Sequence, residues 1–233
     1  MFKSLLPVKL LILYKKLFEF KAVNERNSVS VKNIFENYYK DNRWGSSESV
    51  SGPGSEEKYT EILIPQINKL FNDFNIRSVL DIPCGDFNWM KNVDLQNKSY
   101  IGADIVEEMI TLNISKYKRE TLNFKVLDLI NDDLPEVDLI ICRDCLVHFS
   151  YENIQKAFHQ IKKSGSKYLL TTTFPQFPGN YNIPTGKWRP LNLEKSPFKF
   201  SKPIFAIDEK KVNDVPNFYT KILALWEIDK LKI

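Results

Sequence analysis

Acidic residues stand where apolar runs end. Val79-Leu80 leads into Asp81, Tyr100-Ile101-Gly102-Ala103 into Asp104, and Phe124-Lys125-Val126-Leu127 into Asp128. The first run continues as Ile82-Pro83-Cys84-Gly85-Asp86-Phe87, a tight turn with one glycine, and Asp104 lies nineteen residues beyond that glycine. This spacing suits a nucleoside held against the carboxyl ends of parallel strands, where a carboxylate accepts hydrogen bonds from both ribose hydroxyls. A dinucleotide asks for more, because its pyrophosphate is cradled at a helix start by a glycine-rich turn. Here Pro83 and Phe87 flank the turn, and only Gly85 remains. S-adenosylmethionine carries no phosphate. One glycine allows its methionyl tail to approach the backbone closely, and Asp81 and Asp86 place negative charge near its ammonium and sulfonium. Asp104 then reads the ribose and Asp128 the adenine amino group. Each acid also has a plain structural use: Asp81 and Asp86 as caps, Asp128 as a turn residue before Asn131-Asp132-Asp133.

Methyl transfer from a sulfonium is an in-line displacement, for which alignment alone supplies on the order of 7–11 kcal/mol in favourable systems. A hydroxyl nucleophile also needs a base, worth about 10²–10⁴-fold. The chain has two histidines. His159 lies off the apolar face of its helix; His148 follows the fourth strand, close to where a methyl group would sit. Asp144 competes with it as base or as an orienting group, and Arg143 either contacts the cofactor or pairs with Asp144 and neutralises it. Acceptor contacts are expected from two irregular stretches. One is Trp44 to Ser55, a glycine-hinged lid. The other is the proline-rich run from Thr172 to Pro203, with Asn180, Trp188 and Arg189. Aromatic faces stack on a polar ring, amides read hydroxyls, and an arginine fork holds a phosphate or carboxylate. The plainer reading buries Trp188 and puts Arg189 in a structural ion pair.

These residues need a frame. Val31–Tyr39 reads as a helix. Ser55 caps a second one, with Tyr59, Leu63, Ile67, Leu70 and Phe74 on one face and a kink or restart at Pro65. Strands then alternate with helices: a strand at 77–82 and a short helix at 87–93; a strand at 100–104 and a helix at about 106–118; strands at 124–127 and 137–142; a helix capped by Ser150, and a strand at 168–173. Continuous apolar strands with helical crossovers predict a parallel sheet covered on both faces. Two late strands, 203–207 and 222–228, lack a long helix between them and are expected to run antiparallel.

At 233 residues the chain suffices for one generous domain. Residues 1–22 form a basic amphipathic segment, with Leu6, Leu10, Leu13, Leu17 and Phe20 at helical spacing and Lys3, Lys9, Lys15, Lys16 and Lys21 against Glu19. This segment, followed by a polar linker to residue 30, is too short and too charged to span a bilayer. It reads as a helix packed on the body, a dimer contact or a peripheral membrane contact. The remaining chain is electrically balanced, which gives no reason to expect nucleic acid as a partner. Three cysteines are too few for a disulfide framework and favour a reducing, cytoplasmic compartment. No metal site is expected.

Taken together, 79–87, 101–104, Asp128 and 137–149 resemble the class I S-adenosylmethionine-dependent methyltransferases, over roughly residues 56–175. The resemblance implies a Rossmann-like α/β fold: a seven-stranded, mostly parallel sheet with helices on both faces and an antiparallel last strand, filling residues 31–233. It implies S-adenosylmethionine as cofactor, contacted by Asp81, Cys84, Gly85, Asp86, Asp104, Ile105, Asp128, Leu129 and Arg143. Trp44-Gly45, Ser51-Gly52-Pro53-Gly54-Ser55 and Trp188-Arg189 are similar to bacterial members associated with sugar or surface-polysaccharide pathways, so a sugar hydroxyl is the expected acceptor. A nicotinamide-dependent oxidoreductase and an inactive methyltransferase-like scaffold are the rival readings.

Overall fold

The computed structural model describes residue 10, residues 29–209 and residues 220–232. The amphipathic segment of residues 1–22 and its linker lie outside the described residues, apart from Leu10, Val29 and Ser30. In order come α1 (Val31–Lys40), α2 (Glu57–Thr60), α3 (Leu63–Asp73), β1 (Ser78–Asp81), β2 (Ser99–Asp104), α4 (Glu107–Tyr117), β3 (Leu122–Val126), β4 (Leu139–Cys142), α5 (Tyr151–Lys163), β5 (Tyr168–Thr173), β6 (Phe205–Asp208) and β7 (Ile222–Glu227).

The strands make one seven-stranded sheet in the order β3-β2-β1-β4-β5-β7-β6. β1 to β5 pair in parallel, while β7 runs antiparallel to both β5 and β6. The order reverses between β1 and β4, and the crevice outside the strand tips there is the standard ligand position of an open α/β sheet. Asp138 braces the other end of that pair, its Oδ2 accepting from the amides of Arg77 and Ser78, both at 2.9 Å.

Alternation along each strand sends side chains to two cores. Leu80, Ile140, Leu169 and Trp226 pack with Ile154, Ala157, Phe158 and Ile161 of α5. Val79, Leu139, Ile141, Leu170 and Leu225 pack with Leu63, Ile67, Leu70 and Phe71 of α3 and Ile110 of α4. Ser150 caps α5 as expected, its Oγ accepting from the Asn153 amide at 3.3 Å. Pro65 marks a restart, sitting in the first turn of α3, where a missing N–H costs nothing.

Two expectations fail locally. Ser55 does not cap a helix; it closes a 3₁₀ turn over Pro53–Ser55, and α2 starts after Glu56. The expected helix at 87–93 shrinks to a 3₁₀ turn at Met90–Asn92. The aromatic side chains of that segment explain why. Phe87, at φ 60°, packs against Tyr100, Tyr117 and Phe124 with ring centroids 5.1–5.4 Å apart, and this tertiary anchoring overrides local propensity.

Candidate functional site

A cavity of about 500 Å³ opens at the β1/β4 switch point. Its floor is the β1–β2 side: Ile82 to Gly85, Asp104 to Val106, and Leu127 to Leu129. Its far wall is Arg143, Asp144, Cys145, His148 and Lys221, and its rim carries Trp44, Phe174 and Trp188. Helix α1 roofs it with Val31, Phe35 and Tyr39, one residue per turn on a single face.

Asp104 is held rigidly. Its Oδ2 accepts from the Gly85 amide at 3.2 Å and its Oδ1 from the Val106 amide at 3.0 Å. Burial raises its pKa to about 6, against the pull of backbone N–H groups at Val106, Gly85 and Ile105. The Gly85 carbonyl accepts from Asn113 Nδ2 of α4 at 2.7 Å, so the turn is fixed from both sides. Gly85 adopts φ 57°, and a Cβ there would stand 2.1 Å from Ser51 Oγ. The room its missing side chain leaves is therefore taken by Ser51. Asp128 lines the cavity but is also a turn residue, its Oδ1 accepting from the Ile130 amide at 2.9 Å and its Oδ2 from Asn131 Nδ2 at 2.7 Å.

On the far wall, Asp144 sits in left-handed backbone at φ 54°. Its amide donates to Thr172 Oγ1 at 2.9 Å, and its Oδ2 meets Lys221 Nζ at 2.6 Å and Arg143 Nη1 at 3.6 Å. Burial alone would raise this carboxyl, but the Lys221 ammonium and the Arg143 guanidinium outweigh it and hold it well below the usual carboxylate range. Arg143 is consumed by other partners: Nε and Nη2 donate to Glu209 Oε2 at 3.1 and 2.5 Å, and Nη2 to the Gly54 carbonyl at 2.9 Å.

His148 lies in a 3₁₀ turn at Leu146–His148, with its ring centroid 4.7 Å from that of Trp44. Its Nδ1 is 3.0 Å from the Lys187 carbonyl. A carbonyl only accepts, so Nδ1 bears the hydrogen and Nε2 keeps its lone pair. Burial lowers the imidazole pKa to about 4, with Asp144 opposing that fall.

The cavity wall thus brings together Trp44, Cys84, Gly85, Asp104, Ile105, Asp128, Leu129, Arg143, Asp144, His148 and Trp188 from the sequence-based set. Four others are placed elsewhere. Asp81 points into the α3/α4 core, where its Oδ2 accepts from the Tyr100 hydroxyl at 2.7 Å and burial raises its pKa to about 7. It shares strand parity with Val79, so the core was its only direction. Asp86 binds the Trp44–Ser55 loop, accepting from Ser49 Oγ (2.9 Å), the Val50 amide (3.1 Å) and Ser51 Oγ (3.0 Å). That loop is a clamped wall rather than a hinged lid. Asn180 Nδ2 donates to the carbonyls of Asn192 and Ser196 at 2.8 and 2.9 Å, and its Oδ1 accepts from the Asn192 amide at 2.9 Å. Arg189 is fully buried, donating through Nη1 to the carbonyls of Leu146 (3.2 Å) and Val147 (2.9 Å). It supports the turn that carries His148 and does not face the cavity. Trp188 is 55 % exposed at the rim, edge-on to Phe174 at 6.0 Å.

Sequence reasoning missed Lys221, Thr172, Asn113 and the roof residues of α1. The apolar Val31, Phe35 and Tyr39 at intervals of four residues were a readable signal. Lys221 carried none beyond its place at the start of a late strand.

Residues 79–165 match the family described as "Methyltransferase domain". No curated protein matches the sequence. Among solved structures, a SAM-dependent methyltransferase from Leishmania major is 11% identical, covers 89% of this chain and 91% of its own, and superposes with a TM-score of 0.64. Magnesium protoporphyrin IX methyltransferase from Synechocystis PCC 6803 with bound SAM is 14% identical over 86% of this chain and 98% of its own, with a TM-score of 0.58. Burkholderia thailandensis 1,6-didemethyltoxoflavin-N1-methyltransferase is also 14% identical, over 90% of this chain and 88% of its own, with a TM-score of 0.58. The chain has the Rossmann-like methyltransferase fold.

Proposed function

We propose that this protein is an S-adenosylmethionine-dependent methyltransferase that methylates a hydroxyl of a small polar acceptor, a sugar or nucleotide-linked sugar. The observation that carries the reading is Asp104: a buried carboxylate at the tip of β2, fixed by two backbone amides, on the floor of a cavity at the switch point. The donor set fits the cofactor. Asp104 would hold the ribose, and Asp128 and Leu129 the adenine side; the methionyl tail is not held at Gly85, where Ser51 fills the space and Asp104 and Asn113 take the backbone groups. The volume of about 500 Å³ falls within the range of small-molecule sites. When bound, the cofactor supplies an activated methyl group.

The chain's own part is to position the acceptor, take its proton and exclude water. His148 Nε2 is the base. With its pKa at about 4 the imidazole is neutral at physiological pH and free to accept. Asp144 is the poorer base, since Lys221 and Arg143 lower the affinity of its carboxylate for a proton; that carboxylate orients a second hydroxyl of the acceptor. Trp44, Phe174 and Trp188 offer aromatic faces to the apolar side of a sugar ring. Asn180 and Arg189 have no share in this. A cytoplasmic location is supported by three free, buried cysteines; among the described residues no helix is long and apolar enough to cross a membrane.

Isothermal calorimetry with S-adenosylhomocysteine tests the reading. Saturable binding at micromolar concentrations, weakened on the order of tenfold or more by Asp104→Asn, is expected. No heat at millimolar ligand would count decisively against it.

A further inference from the structure

The two cations of the far wall belong to a cluster that joins the tip of β4 to the late antiparallel strands. Lys221 Nζ lies 2.6 Å from Asp144 Oδ2 and 3.1 Å from Glu209 Oε2. Arg143 Nη2 lies 2.5 Å from the same Glu209 oxygen. Glu209 is 3 % exposed, and its Oε1 has no partner among the described residues. A buried ion network is a weak source of stability. Its members also differ in placement. Glu209 stands behind the wall, whereas Lys221 and Asp144 reach the cavity.

We infer that Lys221 is a positioning residue: reaching in from the start of β7, it draws the Asp144 carboxylate to the β5–β7 side of the cavity and neutralises it beside His148. The consequence for the base can be worked out from the groups around it. His148 faces Asp144, the Arg189 guanidinium, the Lys187 carbonyl and the Trp44 ring. Asp144 faces Lys221, Arg143, Thr172 and His148. Removing the Lys221 charge leaves Asp144 less compensated, so its negative charge acts on the imidazole more strongly and favours the imidazolium. This role rests on the methyltransferase reading for its catalytic meaning, but its test does not need an acceptor.

The chain has only two histidines, so an NMR titration resolves His148 from His159. Lys221→Met should raise the His148 pKa by about one pH unit. Lys221→Arg should leave it near the wild-type value, and Asp144→Asn should abolish the effect of a second Lys221→Met change. Lys221→Gln, which keeps a donor to Asp144, serves if Lys221→Met does not fold and should give the same direction. An unmoved His148 pKa in both neutral variants, or the same rise on an Asp144→Asn background, would overturn the proposal. Calorimetry with S-adenosylhomocysteine on the same samples separates the outcomes. A wild-type protein that binds none defeats the methyltransferase reading, while the histidine titration still decides the role of Lys221.

Discussion

The floor and the far wall of the cavity are built in different ways. On the floor, Asp104, Gly85 and Asp128 come from the ends of β2, β1 and β3, and they are fixed by hydrogen bonds to backbone amides and carbonyls close by in the sheet. The far wall depends on contacts between distant parts of the chain: Asp144 with Thr172 and Lys221, His148 with Lys187, Arg143 with Gly54 and Glu209. The floor is what the fold makes almost automatically; the far wall is what this particular sequence adds.

Substitutions can break that division or sharpen it. The largest effect is expected at His148. His148→Ala should lower kcat by about 10²–10⁴-fold, while calorimetric affinity for S-adenosylhomocysteine stays near wild type; a parallel loss of cofactor affinity would mean that floor and wall are not separable. Next is the pH dependence of the floor. With Asp104 raised to about 6, cofactor affinity should fall as pH drops below 6, approaching tenfold per unit, and Asp104→Asn should flatten the profile. The same shift acts oppositely on the free protein. A carboxyl whose folded pKa exceeds its unfolded value stabilises the fold at low pH and loses that contribution as pH rises, here between about 4 and 6. Gly85→Ala should cost about 1–2 kcal/mol for the left-handed backbone, plus whatever is needed to move Ser51, read as a lower melting temperature. Ser51→Gly should relieve the steric part while giving up the hydroxyl's two bonds to Asp86. The smallest effect is expected at Trp188: an exposed rim aromatic should change KM for the acceptor several-fold at most and leave cofactor affinity unchanged.

The same contrast explains what could be read from the residues. The alternation of strands and helices, the antiparallel late strands and the acid at the tip of β2 follow from apolar runs and their punctuation, which are local. Asp81 looked equivalent to Asp104, yet strand parity turns it into the core beside Tyr100. Asp86, beside the glycine turn, has the spacing of a residue facing a ligand, yet it holds a serine-rich loop. Asn180 and Arg189 looked like substrate readers because they are polar and lie in an irregular stretch. Asn180 and Arg189 lie in its buried parts, however, where the backbone carbonyls must be satisfied from within; both side chains are spent on that. Lys221 was invisible for the complementary reason. Its partners lie 77 residues away at Asp144 and across the late hairpin at Glu209, and nothing in the local pattern announces a pairing at that distance.

The central claim is that a buried carboxylate at the tip of β2 grips an adenosyl group in the switch-point crevice. A crystal structure of the protein with S-adenosylhomocysteine tests it most directly. The account predicts both ribose hydroxyls within hydrogen-bond distance of Asp104 and the sulfur turned toward His148. A nucleoside seated away from Asp104, or a crevice that stays empty at saturating ligand, would contradict it.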